Sequence, residues 1–172
     1  MTTSSLLRSI QKNVAHYQLR LDEIDEAHFV HSPPIGGWSI SEVYAHIFDS
    51  SLLSLMAIAR IIKGDGELQP THWAVRLILF FGSLPPGKKY EAPARLKERV
   101  KKINKMAAQQ LLTDFELQLA KIYPLLEKPV SGLKVKHPRL GYLDAKQWFR
   151  FIEIHLKHHL KQIKRIDKSF EQ

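Results

Sequence analysis

Within the stretch FIEIHLKHHLKQI, residues 151–163, three of the nine histidines of the chain fall inside five positions. Imidazole is the side chain that most readily serves as a neutral metal ligand or a proton carrier near neutral pH. At about 100° per residue on a helix, His155 and His159 lie about 40° apart and share a face, whereas His158 falls to one side. That spacing suits two ligands of one metal. Lys146, Arg150, Lys157, Lys161, Lys164 and Lys168 gather on one side of the same helix. Trp148, Ile152, Ile163 and Ile166 gather on the other, with His155 and His159 among them. A helix so patterned buries its apolar stripe, so two imidazoles point inward and need partners.

A third histidine is a candidate partner, the alternative being core histidines hydrogen-bonded to carboxylates or waters. His46, in GGWSISEVYAHIFDS, has Glu42, Asp49, Ser50 and Leu53 as neighbours on the helical surface, a narrow polar strip on an otherwise apolar helix. Turned inward, the strip meets His155 and His159 across the interior. Three imidazoles from two helices leave coordination positions open, the arrangement of a catalytic metal rather than a structural one. His16, His28, His31, His72 and His137 read as exposed loop or surface residues.

Four long helices must position these groups. The first spans roughly Ser4 to Ile24. The second starts at the capping box Ser39-x-x-Glu42 and runs to about Lys63, where GDG ends it. The third lies within residues 100–127, with Thr113-x-x-Glu116 as a candidate internal start. The fourth runs from Asp144, capped with Gln147, to about Lys168. Helix 2 is apolar around more than half of its circumference, through Val43, Ile47, Phe48, Leu52, Leu55, Ile58 and Ile62, which suggests contact with the core and with a second subunit. WAVRLILFFG at 73–82 reads as a short helix, and no segment reads as a strand. The connection between helices 2 and 3 is long enough to cross a bundle and let them run parallel. The expectation is an all-α four-helix bundle with one long crossover, a single domain over residues 1–172.

Composition narrows the chemistry. The chain has 172 residues, 44% hydrophobic and 25% charged, enough for one ordinary core. It has no cysteine, so thiolate ligands, disulfides and a protein thiol nucleophile are excluded. No apolar run of signal-peptide length opens the sequence, and the 73–82 stretch is too short to span a bilayer; the expected location is cytoplasmic, with no membrane partner. The net charge of +9 is uneven: residues 1–85 hold six Lys and Arg against eight Asp and Glu, and residues 86–172 twenty against nine. The basic run from Lys88 to Lys105 lacks interleaved aromatics and any nucleic-acid-binding signature, so it reads as a solvated face. There is no G-x-S-x-G, Walker loop or H-E-x-x-H. A di-iron bundle needs Glu-x-x-His pairs, and no glutamate here has a histidine three positions later.

The motifs also carry a family likeness. GGWSISEVYAHIFDS resembles the W-S-x-x-E-v-x-x-H motif of the DinB/YfiT-like superfamily. HPRLGYLDAKQWFRFIEIHLKHHLKQI resembles its C-terminal motif, a Gly-containing loop leading into H-x-x-x-H and a Gln. The likeness implies an up-down-down-up four-helix bundle, often dimeric, with a divalent metal on three histidines that fall at His46, His155 and His159. It further implies a metal-dependent enzyme acting on a small molecule, either a thiol S-transferase or isomerase using a low-molecular-weight thiol, or a hydrolase. Zinc, nickel, iron and manganese all suit imidazole. Glu42 or Asp49, if they face the metal, would accept a hydrogen bond or a proton, and Gln162 would bond a ligand or a metal-bound water. His158, adjacent to the pair, is not assigned to the metal. The alternative is a binding or stress-associated module that keeps the bundle without turnover.

Overall fold

The computed structural model of the chain describes residues 2–83, 100–128 and 132–171. Four long helices carry the fold: α1 (Thr3–Glu23), α3 (Ile40–Ile62), α5 (Lys105–Leu126) and α6 (Ala145–Phe170). Two short helices, α2 (Glu26–Val30) and α4 (Trp73–Phe81), lie in the connections. Each long helix starts where a side chain accepts one of the first free backbone N–H groups: Thr2 from Ser5, Ser39 from Glu42, Asn104 from Ala107 and Asp144 from Gln147. Both capping boxes expected from the sequence form. Glu42 Oε2 accepts the Ser39 N–H at 2.9 Å and Gln147 Oε1 accepts the Asp144 N–H at 3.0 Å. They set the start of α3 about two turns before His46, and that of α6 about three turns before His155.

The order of the four long helices is up-down-down-up, with α3 and α5 the parallel pair. α1 and α3 each pack against α5 and α6. They meet across the core where the Tyr17 ring lies 5.3 Å from Tyr44 and 5.2 Å from Phe48, both edge-on. The buried hydroxyls are satisfied: Tyr17 donates to the Leu156 carbonyl at 2.9 Å and Tyr44 to the Tyr17 carbonyl at 2.7 Å. Glu153, fully buried on α6, accepts from Ser9 on α1 and from Arg150, each at 2.8 Å, and pairs with Lys157. A buried carboxylate is tolerated only with such partners, so the contact fixes the rotation of α6 that turns His155 inward.

α3 is long and apolar enough to cross a membrane by length and composition, yet it spends most of that surface inside one bundle. Val43, Tyr44, Ile47, Phe48, Ile58 and Ile61 are fully buried, while Leu53 and Met56 stay exposed. No break occurs at Thr113. Ala108, Leu112, Phe115, Leu119 and Ile122 keep one face of α5 on the core across that point, and continuous burial outweighs a local start signal. Two elements have no counterpart in the sequence reading: α2, and an antiparallel hairpin of β1 (Val135–His137) and β2 (Gly141–Leu143). Gly141 turns the chain with φ 72°. Glu67 and Lys134 exchange backbone hydrogen bonds of 2.9 Å, and Thr71 donates to the Tyr142 carbonyl at 2.8 Å, so the crossover is stitched to the hairpin. Most of the basic run Lys88–Lys105 lies outside the described residues.

Ser39→Ala removes the hydroxyl from a fully buried cap and should cost about 1 kcal/mol of folding stability. A urea midpoint equal to that of the parent protein would show that the capping box contributes nothing.

Candidate metal centre

His46 on α3 faces His155 and His159 on α6 across the most extensive helix contact of the bundle. His155 Nε2 lies 3.3 Å from His46 Nε2 and 3.0 Å from His159 Nε2. Among the described residues these three alone bring metal-binding atoms within 4.8 Å of one another. An ion about 2.0–2.1 Å from each nitrogen at tetrahedral angles would hold its ligands about 3.3 Å apart, so the spacing fits one small divalent ion.

The proton count favours the same conclusion. His159 Nδ1 lies 2.8 Å from Gln162 Oε1, a pure acceptor, so Nδ1 carries the proton and Nε2 presents a bare lone pair. His46 Nδ1 lies 3.4 Å from Ser50 Oγ, which can accept its proton in the same way. Both lone pairs then aim at His155 Nε2. A single N–H there can be donated to one neighbour only. Adding a second proton is costly: burial first, then Asp49 in opposition and the charges of His158 and Arg139 in support, brings the His46 pKa down to about 4. Burial, and after it the neighbouring imidazoles, holds His155 and His159 well below the ordinary value. Neutral imidazoles with converging lone pairs are what a divalent cation requires.

Aromatic rings frame the cluster. Trp38 lies 4.9 Å from His46 and stacks over His159 at 6.3 Å, and Phe151 stacks on His155 at 5.0 Å. His46 and His159 are buried, and His155 is the most exposed of the three.

The other residues singled out from the sequence divide. Gln162 is at the centre, on the His159 ring. Asp49 acts on His46 by its charge. Glu42 is held in the α3 cap, where Ser39 donates to it through N–H at 2.9 Å and Oγ at 2.8 Å. His158 lies edge-on to His159 at 5.1 Å, outside the cluster. Sequence reasoning missed Trp38 and Phe151 as walls of the site, although Phe151 stands one turn before His155 and Trp38 directly precedes the α3 cap. It also misplaced His137, which is no exposed loop residue: its ring packs 5.1 Å from Trp148 and 4.6 Å from Phe151. Burial, helped by Arg139, pushes its pKa down to about 4.

Fold and site together define a four-helix bundle with a three-histidine centre on its second and fourth long helices. Residues 9–163 match the model of the DinB superfamily, and the chain belongs to that superfamily. It is similar to TT2238, a four-helix bundle protein, at 19% identity over 95% of this chain and 99% of that one, with a TM-score of 0.54. It is also similar to the mycothiol-dependent maleylpyruvate isomerase, at 14% identity over 93% of this chain, with a TM-score of 0.62. The chain spans 60% of the length of that isomerase. A comparison with curated proteins returned no match.

His46 and His137 both stay neutral in the folded protein down to about pH 4, whereas an unfolded histidine takes up its proton near pH 6.5. Between those values the unfolded chain binds protons that the folded chain refuses, so stability is complete above about pH 6.5 and falls as the pH drops towards 4. For metal-free protein the urea midpoint should therefore decline from pH 7 to pH 5. A flat profile would contradict the burial of these rings.

Proposed function

We propose that this protein binds one divalent metal ion, zinc, nickel, iron or manganese, through Nε2 of His46, His155 and His159, and uses it on a small molecule by thiol transfer or hydrolysis. The observation that carries the reading is the convergence of three Nε2 atoms on imidazoles that burial keeps neutral. When bound, such an ion supplies a water or thiol deprotonated near neutral pH. Gln162 holds the His159 ring in the tautomer that leaves Nε2 free, the kind of outer contact that orients metal ligands. Trp38 and Phe151 exclude water from two sides. In this reading Asp49, whose charge reaches His46, or Glu42, once released from its cap, takes up a proton. The fold-level likeness to a mycothiol-dependent isomerase supports testing low-molecular-weight thiols first. In this reading the whole chain is one domain of a cytoplasmic protein.

The same reading takes the protein as a homodimer. Trp73, Leu77 and Phe80 on α4, and Leu53 and Met56 on α3, are large apolar side chains left exposed, more than a monomer usually offers to water. Light scattering should give twice the chain mass, and Phe80→Glu should give the monomer. A monomer for the parent protein at high micromolar concentration would remove this part of the reading.

Elemental analysis of protein purified without a histidine tag should find about one divalent metal per chain. Replacing His46, His155 or His159 by Ala should lower metal content and melting temperature together, because a ligand present at a hundred times its Kd stabilises the native state by about 2.7 kcal/mol. His158→Ala should retain the metal. Equal metal loss in His158→Ala and His155→Ala, or full occupancy in the triple variant, would refute the ligand set. Turnover of a thiol with an electrophile by the loaded protein separates an enzyme from a metal-holding module.

A further inference from the structure

The start of α6, together with α4 and the first turn of α1, lines an open groove of about 390 Å3. Three cations reach it: Arg76 from α4, and Lys146 and Arg150 from α6. Arg150 is held in place, its Nε donating to the Leu79 carbonyl at 2.9 Å and its guanidinium to Glu153 at 2.8 Å. Glu153 also pairs with Lys157, so one of those two positive charges is left uncompensated. Arg76 and Lys146 are exposed, and neither is paired with a carboxylate among the described residues. The one acid of the lining is Asp144, whose Oδ1 accepts the Gln147 N–H at 2.8 Å as the cap of α6. The first turn of α1 brings no acid. Gln147 adds a donor: its Oε1 already accepts from the Asp144 N–H at 3.0 Å and from the Thr71 hydroxyl at 2.8 Å, so its amide N–H groups are what it has left to offer. Leu6 and Leu79, both buried, and the exposed Phe80 make the remaining wall apolar.

We propose that this groove binds an organic phosphate monoester, with the phosphate held by Arg76, Lys146 and the Gln147 amide and the carbon body laid on Leu6, Leu79 and Phe80. Charge selects the class. A phosphate monoester carries about −1.5 to −2 at pH 7, and three cations set against one carboxylate leave more positive charge than a single carboxylate ligand would neutralise. Guanidinium and ammonium groups bind such an anion through short, charge-assisted hydrogen bonds. Size points to an ester, because the groove falls within the range of small-molecule pockets, about 300–1,000 Å3, and has an apolar wall that inorganic phosphate would leave uncovered. On the α6 wheel Lys146 and Arg150 lie about 180° and 140° from His155, so the groove is separate from the three-histidine centre and its assignment does not rest on the metal reading. Of the apolar residues assigned to the dimer, Phe80 alone lines it.

Phenyl phosphate, phenyl sulfate and inorganic phosphate, titrated separately into the full chain at about pH 8, where the phosphate ester is a dianion, test the site by calorimetry. Phenyl phosphate should bind best, since phenyl sulfate has the same shape with one charge fewer and inorganic phosphate lacks the ring. Arg76→Ala and Lys146→Ala should each weaken it about tenfold, the scale of one lost charge-assisted bond, and Arg76→Lys should recover part of the loss. Both side chains are exposed, so these variants should fold. Lys168→Ala, at the far end of the same basic helix face, should leave the affinity unchanged. Metal-free and zinc-loaded protein should bind the ester equally, which separates the groove from the metal centre. Vesicles of phosphatidylcholine with and without phosphatidic acid distinguish the source of the phosphate: sedimentation of the protein that requires phosphatidic acid and is lost in Arg76→Ala assigns it to a lipid headgroup, and no sedimentation while phenyl phosphate binds assigns it to a soluble ester. Affinity indifferent to both Arg76→Ala and Lys146→Ala, phenyl sulfate binding as tightly as phenyl phosphate, or binding that requires zinc would overturn the proposal.

Discussion

Everything at the centre of this bundle depends on an arrangement that neutral imidazoles do not satisfy by themselves. His155 Nε2 is within hydrogen-bond distance of two other Nε2 atoms, and one proton cannot serve both. In water the rings would rotate away or become charged. Here packing opposes both, because Trp38 and Phe151 lie against the rings, and charging would place cations where desolvation is most costly. The apolar packing thus maintains a polar conflict that a divalent cation can resolve.

The scaffold is braced where the conflict needs it. Tyr17 on α1 donates to the Leu156 carbonyl, next in sequence to His155, and Glu153 ties α6 to Ser9 two residues before it. On α3 the buried Ser39 cap fixes the helix start, and Trp38, just outside the cap, lies against both His46 and His159. One short segment therefore ends a loop, begins a helix and walls the site. Gln162 completes the frame from within α6, one turn after His158 in the reading of the helix and bonded to His159 in the structure.

The bundle and its histidine cluster were legible because both are written in short-range signals. The two capping boxes, the amphipathic stripe of α6 and the four-residue spacing of His155 and His159 each lie within one helix, where periodicity translates directly into direction. The hairpin was not legible. Its strands are three residues each, without alternation, and they are held by partners far away in sequence, such as Glu67 on Lys134 and Trp148 Nε1 on the Val135 carbonyl. His137 was misjudged for the same reason: its neighbours Trp148 and Phe151 belong to another element, and a position before proline says nothing about what packs over it. Helix α3 marks a limit of scale. Its wide apolar surface was visible, but how much of it a single bundle can absorb depends on α5 and α6 together.

The chain belongs to the DinB superfamily, and its three histidines converge on one point. The central claim concerns protons: Nε2 of His46 and His159 must be bare in the folded, metal-free protein, with Nδ1 protonated. Long-range ¹H–¹⁵N correlation spectra of the histidine rings at neutral pH report this atom by atom. The account predicts unprotonated Nε2 signals for His46 and His159, with all three Nε2 resonances, including that of His155, moving together on addition of one equivalent of zinc. Protonated Nε2 on both His46 and His159, or zinc-induced shifts confined to other rings, would contradict it.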